Sequence, residues 1–221
     1  MMLVVASSAK ELQGIVESDR VKTVCVGVGK VQAAVETYSA ILNYAPSLVI
    51  GIGSCGAIED HLKVGDVVIP SKVVQYDIDL RRFGLSRGEV FTAEGKKTGW
   101  LATDRLPNWP HRPFGIIDGR RVWEDVYLGS ADRFLSPNDR MSHHFLVDEM
   151  HLAAVDMESH AMVAAAKRAQ VPVAIIRVVS DTWFGDRAKS LPNFLKEASA
   201  LIDRIIRIGY MEPSEKSPTI L

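Results

Sequence analysis

The chain has 221 residues, of which 47% are hydrophobic, and its 26 basic and 27 acidic side chains give a formal net charge of -1. This length and composition predict one globular domain over residues 1–210, followed by a disordered tail over 211–221. Because the charge is balanced and no basic block is present, a nucleic-acid or anionic-membrane partner is not expected, and a small neutral ligand is favoured.

Cysteine usage and hydropathy indicate a reducing, aqueous compartment. Cys25 and Cys55 lie in apolar, strand-like sequence, without a disulfide framework or a CxxC metal spacing. The apolar run at residues 1–6 is too short for a signal-peptide core, and no later run reaches the length of a membrane span. We therefore expect a soluble protein of the cytoplasm.

Predicted strands and helices alternate along the chain. Apolar, largely β-branched runs predict strands at 3–6, 23–28, 48–52, 64–74, 153–155 and 171–179. Helices are predicted at 30–44, at 158–169, from Ser190 as N-cap to about residue 208, and from Ser136-Pro137 to Met150. The segment 95–113 has no clear period and is expected to be irregular. This order predicts an α/β fold, a three-layer α/β/α sandwich around a mixed, largely parallel twisted sheet.

A polar cluster ends the apolar run at 171–176. It reads Arg177-Val178-Val179-Ser180-Asp181. In α/β enzymes, residues at the carboxyl end of a buried strand carry much of the chemistry, so Arg177 and Asp181 are candidate functional residues. A structural ion pair at the strand end is the alternative.

A glycine-rich motif follows the strand predicted at 48–52. Gly51-Ile52-Gly53-Ser54-Cys55-Gly56-Ala57 matches the GxGxxG/A pattern of an NAD-dependent oxidoreductase. The next strand begins near Val64, which leaves too little room for the crossover helix of a dinucleotide-binding unit. We therefore interpret the motif as a strand end whose backbone approaches a ligand closely, with Ser54 offering a hydroxyl.

The order of short motifs resembles a known superfamily. Glu11 near the first strand is followed by Gly27-Val28-Gly29-Lys30, Gly53-Ser54-Cys55-Gly56, Lys63-Val64-Gly65-Asp66, Val155-Asp156-Met157-Glu158 and Arg177 to Asp181. This order resembles the nucleoside phosphorylase/hydrolase superfamily and, within it, the methylthioadenosine/S-adenosylhomocysteine nucleosidases. The resemblance implies hydrolysis of an adenine N-glycosidic bond by a homodimer, without a metal or an organic cofactor.

The resemblance also implies catalytic roles. Asp181 would protonate adenine N7, with Ser180 orienting its carboxyl group. Glu11 would activate the attacking water as general base, and Arg177 and Ser54 would position the base and the water. Taken alone, Glu11 also fits an ordinary solvated glutamate.

Substrate-binding roles follow from the same resemblance. Glu158 would accept a hydrogen bond from the ribose 2'-hydroxyl while Met157 packs under the sugar, although Glu158 also fits an acidic residue favoured by a helix N-terminus. Phe134 would stack on adenine and the backbone of Leu135 would read its edge, with core packing as the alternative for Phe134. The 5'-alkylthio pocket would be lined, partly from the dimer partner, by residues that also fit ordinary apolar filling: Val28, Leu80 and Phe83.

Departures from the family pattern leave the 5' substituent open. Asp156 stands where the family more often has glutamate, Ser159-His160 where it has small residues, and Leu191 where an aromatic residue often closes the pocket. Futalosine or adenosine hydrolysis therefore remains an alternative. A phosphorylase is a further alternative, but Glu11 would repel phosphate and only Arg177 is visible of the expected arginine pair. A nucleoside sensor without enzymatic activity is another alternative. The presence of Glu11, Glu158 and Asp181 together argues against it, because a protein that only binds needs no acid–base pair.

A metal site is not expected. His144, Asp148 and His151 have a spacing that could place three ligands on one helical face. No fourth ligand stands at a recognisable spacing, and the resemblance does not include such a site. Cys55, beside Ser54, lacks a neighbouring histidine and is interpreted as a small apolar wall.

Overall fold

The computed structural model describes residues 1–109, 115–136, 139 and 143–210. The strands are β1 (Met2–Ala6), β2 (Val21–Cys25), β3 (Leu48–Ala57), β4 (Val67–Gln75), β5 (Val90–Phe91), β6 (Lys97–Thr98), β7 (Leu101–Ala102), β8 (Ile116–Ile117), β9 (Arg120–Ser130), β10 (Ala154–Asp156) and β11 (Val173–Asp181). The α-helices are α1 (Lys30–Tyr44), α2 (Phe145–Asp148), α3 (Ser159–Arg168) and α4 (Leu191–Tyr210), and one-turn 3-10 helices lie at Ala9–Leu12 and Arg81–Phe83.

The main sheet is mixed and largely parallel, as predicted. Its strand order is β10-β9-β4-β11-β3-β1-β2. Strands β2, β1, β3 and β11 pair in parallel, as do β4, β9 and β10, whereas β4 pairs antiparallel with β11. Strand β10 also pairs antiparallel with β3, so the segments that follow β9 and β10 lie near residues 54–56 in the second half of β3.

Helices cover both faces of the sheet, which confirms the three-layer prediction. In β1, Leu3 and Val5 belong to the apolar cluster that includes α1 and α3, whereas Met2, Val4 and Ala6 belong to the cluster that includes α4. Successive side chains of a strand point to opposite faces of the sheet. Because helices cover both faces, all five residues of β1 are buried. The apolar stripe predicted for the last helix is buried on the sheet through α4.

The bounds of one helix agree with the sequence prediction, and those of two strands differ from it. Helix α1 has the predicted bounds, and its C-cap Ala45, with a left-handed backbone (φ 45°), precedes Pro46. The strand predicted at 64–74 begins only at Val67, because Asp66 closes a turn in which its backbone N–H donates to the Lys63 carbonyl at 2.9 Å. Strand β3 extends beyond the prediction to Ala57.

Four regions differ from the prediction or extend beyond the described residues. Strand β9, of 11 residues, was not predicted. The segment expected to be irregular contains β6 and β7, and its residues 110–113 lie outside the described residues. Of the helix predicted from Ser136 to Met150, the part Phe145–Asp148 is helical, while 137–138 and 140–142 lie outside the described residues, as does the predicted tail 211–221.

Within the described ranges, no helix is both long enough and apolar enough to cross a lipid bilayer.

Candidate active site

Most of the predicted site residues line one cavity of about 330 Å³. It opens where several strands reach their carboxyl ends, the usual location of ligands in open α/β sheets. The predicted residues in its wall are Glu11, Val28, Ser54, Phe134, Leu135, Met157, Glu158, Ser180 and Asp181.

Three predicted residues do not line this cavity. Arg177 is buried behind it, in an ion pair with Asp156. Leu80 and Phe83 lie after β4, Leu80 at the start and Phe83 at the end of the 3-10 helix Arg81–Phe83, and Phe83 is exposed. Their contribution to the pocket of a partner protomer stays a prediction.

Glu11 is held from two sides. It is buried at the end of the 3-10 helix that follows β1. Its Oε2 accepts hydrogen bonds from Ser7 Oγ at 2.6 Å and from the Ser8 backbone N–H at 3.1 Å, and its Oε1 accepts one from the Ser54 backbone N–H at 3.1 Å. Each carboxylate oxygen has several acceptor positions, so this arrangement fixes the group and leaves capacity for a water molecule.

Asp181 ends β11 and is buried beside Ser180. Ser180 Oγ lies 2.9 Å from Asp181 Oδ2 and 3.2 Å from the carbonyl oxygen of Cys55. The Ser180 hydroxyl therefore lies between the backbone of β3 and the Asp181 carboxyl group, and it orients a carboxyl group that lines the cavity.

A buried ion pair supports the floor of the site. Arg177 Nε lies 2.8 Å from Asp156 Oδ2, and the two side chains are 2% and 1% exposed. Asp156 Oδ1 also accepts a hydrogen bond from Ser130 Oγ at 2.6 Å, and Ser159 Oγ donates to Oδ2. Burial lowers the pKa of Arg177, but the charges of Asp156, Glu158 and Glu11 outweigh it and hold the pKa above its ordinary value. Because removing either partner would leave a buried charge, the pair fixes this part of the fold.

Arg177 approaches Glu11 across a glycine of β3. A Cβ atom added to Gly53 would lie 2.7 Å from Arg177 Nη1 and 2.8 Å from Glu11 Oε1. Both side chains therefore occupy the space that a larger residue would need. The positive charge of the Arg177 guanidinium attracts the Glu11 carboxylate from behind the cavity. Ser54, in the cavity wall, donates its backbone N–H to the same carboxylate.

Glu158 is a buried carboxylate with a raised pKa. It follows β10, and its Oε1 accepts a hydrogen bond from the Gly29 backbone N–H at 2.9 Å. Burial, followed by the charge of Asp156, raises its pKa to about 7. A group that is so poorly solvated gains from hydrogen-bond donors supplied by a ligand.

The mouth of the cavity carries exposed apolar side chains. Phe134 is 63% exposed, so core packing does not explain it, whereas the neighbouring Leu135 is buried. Val28 and Leu191 are also exposed at the cavity. Apolar side chains exposed around a cavity are typical of a ligand-binding surface.

The sequence prediction missed some cavity residues. Ser7 and Ser8, which bind Glu11, were not identified, although Ser8-Ala9-Lys10-Glu11 has the S-x-x-E pattern of a capping box. Tyr76, after β4, and Arg133, before Phe134, also line the cavity, and no motif in the sequence distinguishes them.

Two other sequence motifs, the glycine-rich one of β3 and the histidine spacing around α2, lie as follows in the fold. Strand β3 continues through the glycine-rich motif to Ala57, so the turn and helix of a dinucleotide-binding unit do not follow it. Helix α2 covers only Phe145–Asp148, and His151 lies outside it with φ 51°. Within the described part of the chain, no three His, Cys, Asp or Glu side chains cluster as metal ligands would.

Comparisons with known proteins agree on one family. The sequence matches the Phosphorylase superfamily over residues 5–207. It is 29% identical over 205 residues to the 5'-methylthioadenosine/S-adenosylhomocysteine nucleosidase of Staphylococcus haemolyticus, covering 90% of this chain and 86% of that protein. It is 30% identical over 183 residues to the protein of the same name from Anoxybacillus flavithermus, covering 82% and 76%.

Solved structures show the same fold. The nucleosidase of the same name from Neisseria meningitidis, in complex with methylthio-immucillin-A, has a TM-score of 0.74 and 26% identity, covering 93% of this chain and 98% of that one. A futalosine hydrolase mutant of Helicobacter pylori has a TM-score of 0.77 and 20% identity, covering 94% and 96%. The chain therefore belongs to the phosphorylase superfamily and, within it, to the family of the 5'-methylthioadenosine/S-adenosylhomocysteine nucleosidases.

Proposed function

We propose that the protein hydrolyses the N-glycosidic bond of 5'-methylthioadenosine, of S-adenosylhomocysteine or of both, and releases adenine. The observation that carries this proposal is that Asp181, Glu11 and Glu158, which follow or end three different strands, line one cavity. Cleavage of a ribosyl bond to adenine needs an acid for the leaving base, a base for the water and a group that binds the sugar. The three carboxylates supply these functions.

Asp181 acts on the leaving base. The adenine ring stacks on Phe134, with its edge towards the backbone of Leu135. The proton of Asp181 passes to adenine N7 as the bond to the ribose breaks, so that neutral adenine departs. Ser180 Oγ, 2.9 Å from the carboxyl group, supports the required orientation.

Glu158 and Glu11 act on the sugar. Glu158 accepts a hydrogen bond from the ribose 2'-hydroxyl, and Met157 packs under the ring. Positive charge that develops on the ribose is stabilised by the carboxylates of the cavity. Glu11 takes a proton from the attacking water, whose oxygen forms the new bond to the anomeric carbon. The C–N bond to adenine breaks, the C–O bond to water forms, and the two protons move to and from side chains, so these steps need neither a metal nor an organic cofactor.

We also propose that the enzyme works as a cytoplasmic homodimer in methionine salvage. Val31, Val35 and Leu42 are exposed on one face of α1, which supports a protein partner on that side. Cys25 and Cys55 do not form a disulfide, in keeping with a reducing compartment. The sugar product of methylthioadenosine keeps the methylthio group, which accounts for the proposed pathway.

Adenine release from methylthioadenosine, S-adenosylhomocysteine and adenosine tests this function. Methylthioadenosine should exceed adenosine in kcat/KM by about tenfold or more, because moving a 5'-hydroxyl into an apolar pocket without a partner costs about 1–3 kcal/mol. Equal kcat/KM values for these two nucleosides would show that the 5' pocket is misassigned. Failure of all three nucleosides to release adenine would contradict the proposed function. If futalosine alone released its base, the protein would be a futalosine hydrolase instead.

A further inference from the structure

The N-terminus of α1 joins two walls of the cavity. Its N-cap residue, Gly29, has no side chain that could cap the helix, so the first backbone N–H groups find partners elsewhere. The Gly29 N–H donates to Glu158 Oε1 at 2.9 Å, and the Lys30 N–H donates to Asp132 Oδ1 at 2.6 Å. One helix end therefore contacts both Glu158 and the segment that leads to Phe134.

The Lys30 side chain closes a network at the same place. Its Nζ lies 2.5 Å from Asp77 Oδ1 and 3.7 Å from Asp132 Oδ2. The Asp132 backbone N–H donates to Asp77 Oδ2 at 3.0 Å, so the three residues, here called the Lys30 network, are linked pairwise. The side chains of Lys30 and Asp77 are only 12% and 25% exposed, so solvent screens this pair less than an ordinary surface pair.

Each member of the Lys30 network adjoins the cavity along the chain. Val28 precedes Lys30 by two residues, Tyr76 directly precedes Asp77, and Phe134 follows Asp132 by two residues, and all three neighbours line the cavity. Lys30 itself is not among the described cavity-lining residues. It is placed to act on the ligand only through the walls that it connects.

We propose that Lys30 is a positioning residue that, through Asp77 and Asp132, holds the adenine-stacking segment 132–135 at a fixed distance from Glu158. The alignment matters because the base and the ribose of one nucleoside must meet Phe134 and Glu158 at the same time. This proposal rests on the proposed function, since it takes the cavity to be a nucleoside site. Without Lys30, Asp77 and Asp132 would repel each other and the segment would lose its fixed place.

Kinetics of Lys30→Met test the proposal. The variant should raise KM for methylthioadenosine and Kd for adenine about tenfold, the effect expected when base stacking is weakened, while kcat stays within about threefold. Lys30→Arg, which keeps the positive charge, should restore most of the binding. Asp77→Asn should raise KM and the adenine Kd in the same way, and it replaces Lys30→Met in the test if that variant does not fold.

Arg207→Met is the matched control. Arg207 Nε lies 2.6 Å from Asp203 Oδ2, with side chains 42% and 12% exposed, near the end of α4 and outside the cavity wall. This variant loses a comparable ion pair and should keep wild-type KM and adenine Kd. Equal losses of binding in Lys30→Met and Arg207→Met, or unchanged KM and Kd in Lys30→Met, would overturn the proposal.

Hydrogen–deuterium exchange separates this proposal from the proposed function. Lys30→Met should speed amide exchange over 131–136, where the Asp132 N–H loses its anchored acceptor, and Arg207→Met should not. This readout needs no turnover. If wild-type protein releases no adenine, the proposed function fails, whereas unchanged exchange over 131–136 would overturn the role of Lys30.

Discussion

At the residue scale, two buried carboxylates of the cavity have different surroundings. Asp181 lies against the hydroxyl of Ser180 at the end of β11. Glu158 accepts a hydrogen bond from the backbone N–H of Gly29. Burial, and after it the negative charge of Asp156, raises the pKa of Glu158 to about 7. Different environments are what allow carboxylates of one site to take separate roles.

The assignment of Asp181 as acid predicts the effect of Asp181→Asn. The amide can still accept a hydrogen bond from Ser180 but has no proton of suitable acidity to give to adenine. We expect kcat to fall on the order of 100-fold or more, with the melting temperature and inhibitor binding largely kept. Asp186→Asn, an exposed position on the following loop, is the control and should keep its activity. Near wild-type turnover of Asp181→Asn would refute the assignment.

The raised pKa of Glu158 predicts a pH-dependent gain in stability for Glu158→Gln. Between its ordinary value of 4.5 and about 7, the folded protein holds a proton on Glu158 that the unfolded chain releases. The contribution of Glu158 to stability is therefore full below pH 4.5 and is lost as the pH rises through 7.

Urea unfolding of both proteins at pH 5 and pH 8 measures this difference. Glutamine does not titrate and can still accept the Gly29 N–H. Relative to wild type, Glu158→Gln should therefore gain on the order of 1–3 kcal/mol in free energy of unfolding between the two pH values. A difference that does not change with pH would contradict the raised pKa.

At the element scale, β3 carries two glycines with separate purposes. A Cβ on Gly51 would lie 2.6 Å from Ile175 Cδ1 and 2.9 Å from Met162 Sδ, both in the core. A Cβ on Gly53, whose φ is 149°, would instead meet Arg177 and Glu11. The glycines that suggest a dinucleotide motif in the sequence thus allow close packing, one in the core and one at the site.

Alanine at each glycine should separate stability from activity. Both variants overpack β3, and we expect each to lose about 1–3 kcal/mol of stability. Only Gly53→Ala displaces Glu11, so only this variant should lose kcat, by about tenfold or more, at a temperature where both are folded. Thermal unfolding and adenine release measure the two effects. Equal kcat for the two variants would show that Gly53 is not required to position Glu11.

The elements that the sequence predicts best have a clear local signal. Strand β11 follows from its continuous apolar run, and helix α1 is bounded by Gly29 and by Pro46. Strand β9 does not, because Asp125 has a left-handed backbone (φ 58°) and the register with β4 shifts on both sides of Pro70. These irregularities break the period of two on which strand prediction depends.

At the scale of the whole molecule, the site joins segments that are far apart in the sequence. Gly29 meets Glu158 and Lys30 meets Asp132 across more than a hundred residues, as sequence separations of 129 and 102 show. Local patterns carry no information about such pairs. The resemblance supplied the candidate roles of Glu11, Glu158 and Asp181, and it could not reveal the supporting contacts from Ser7, Ser8 and Asp77.

The identity of the attacking group distinguishes a hydrolase from a phosphorylase of the same superfamily. Glu11 lines the cavity and would repel an inorganic phosphate ion, whereas it can take a proton from water. Turnover should therefore not depend on phosphate. The most direct test is NMR of the sugar product formed from methylthioadenosine in phosphate buffer. We predict the free sugar with a hydroxyl at its anomeric carbon, and a sugar 1-phosphate as the main product would contradict the proposed hydrolysis.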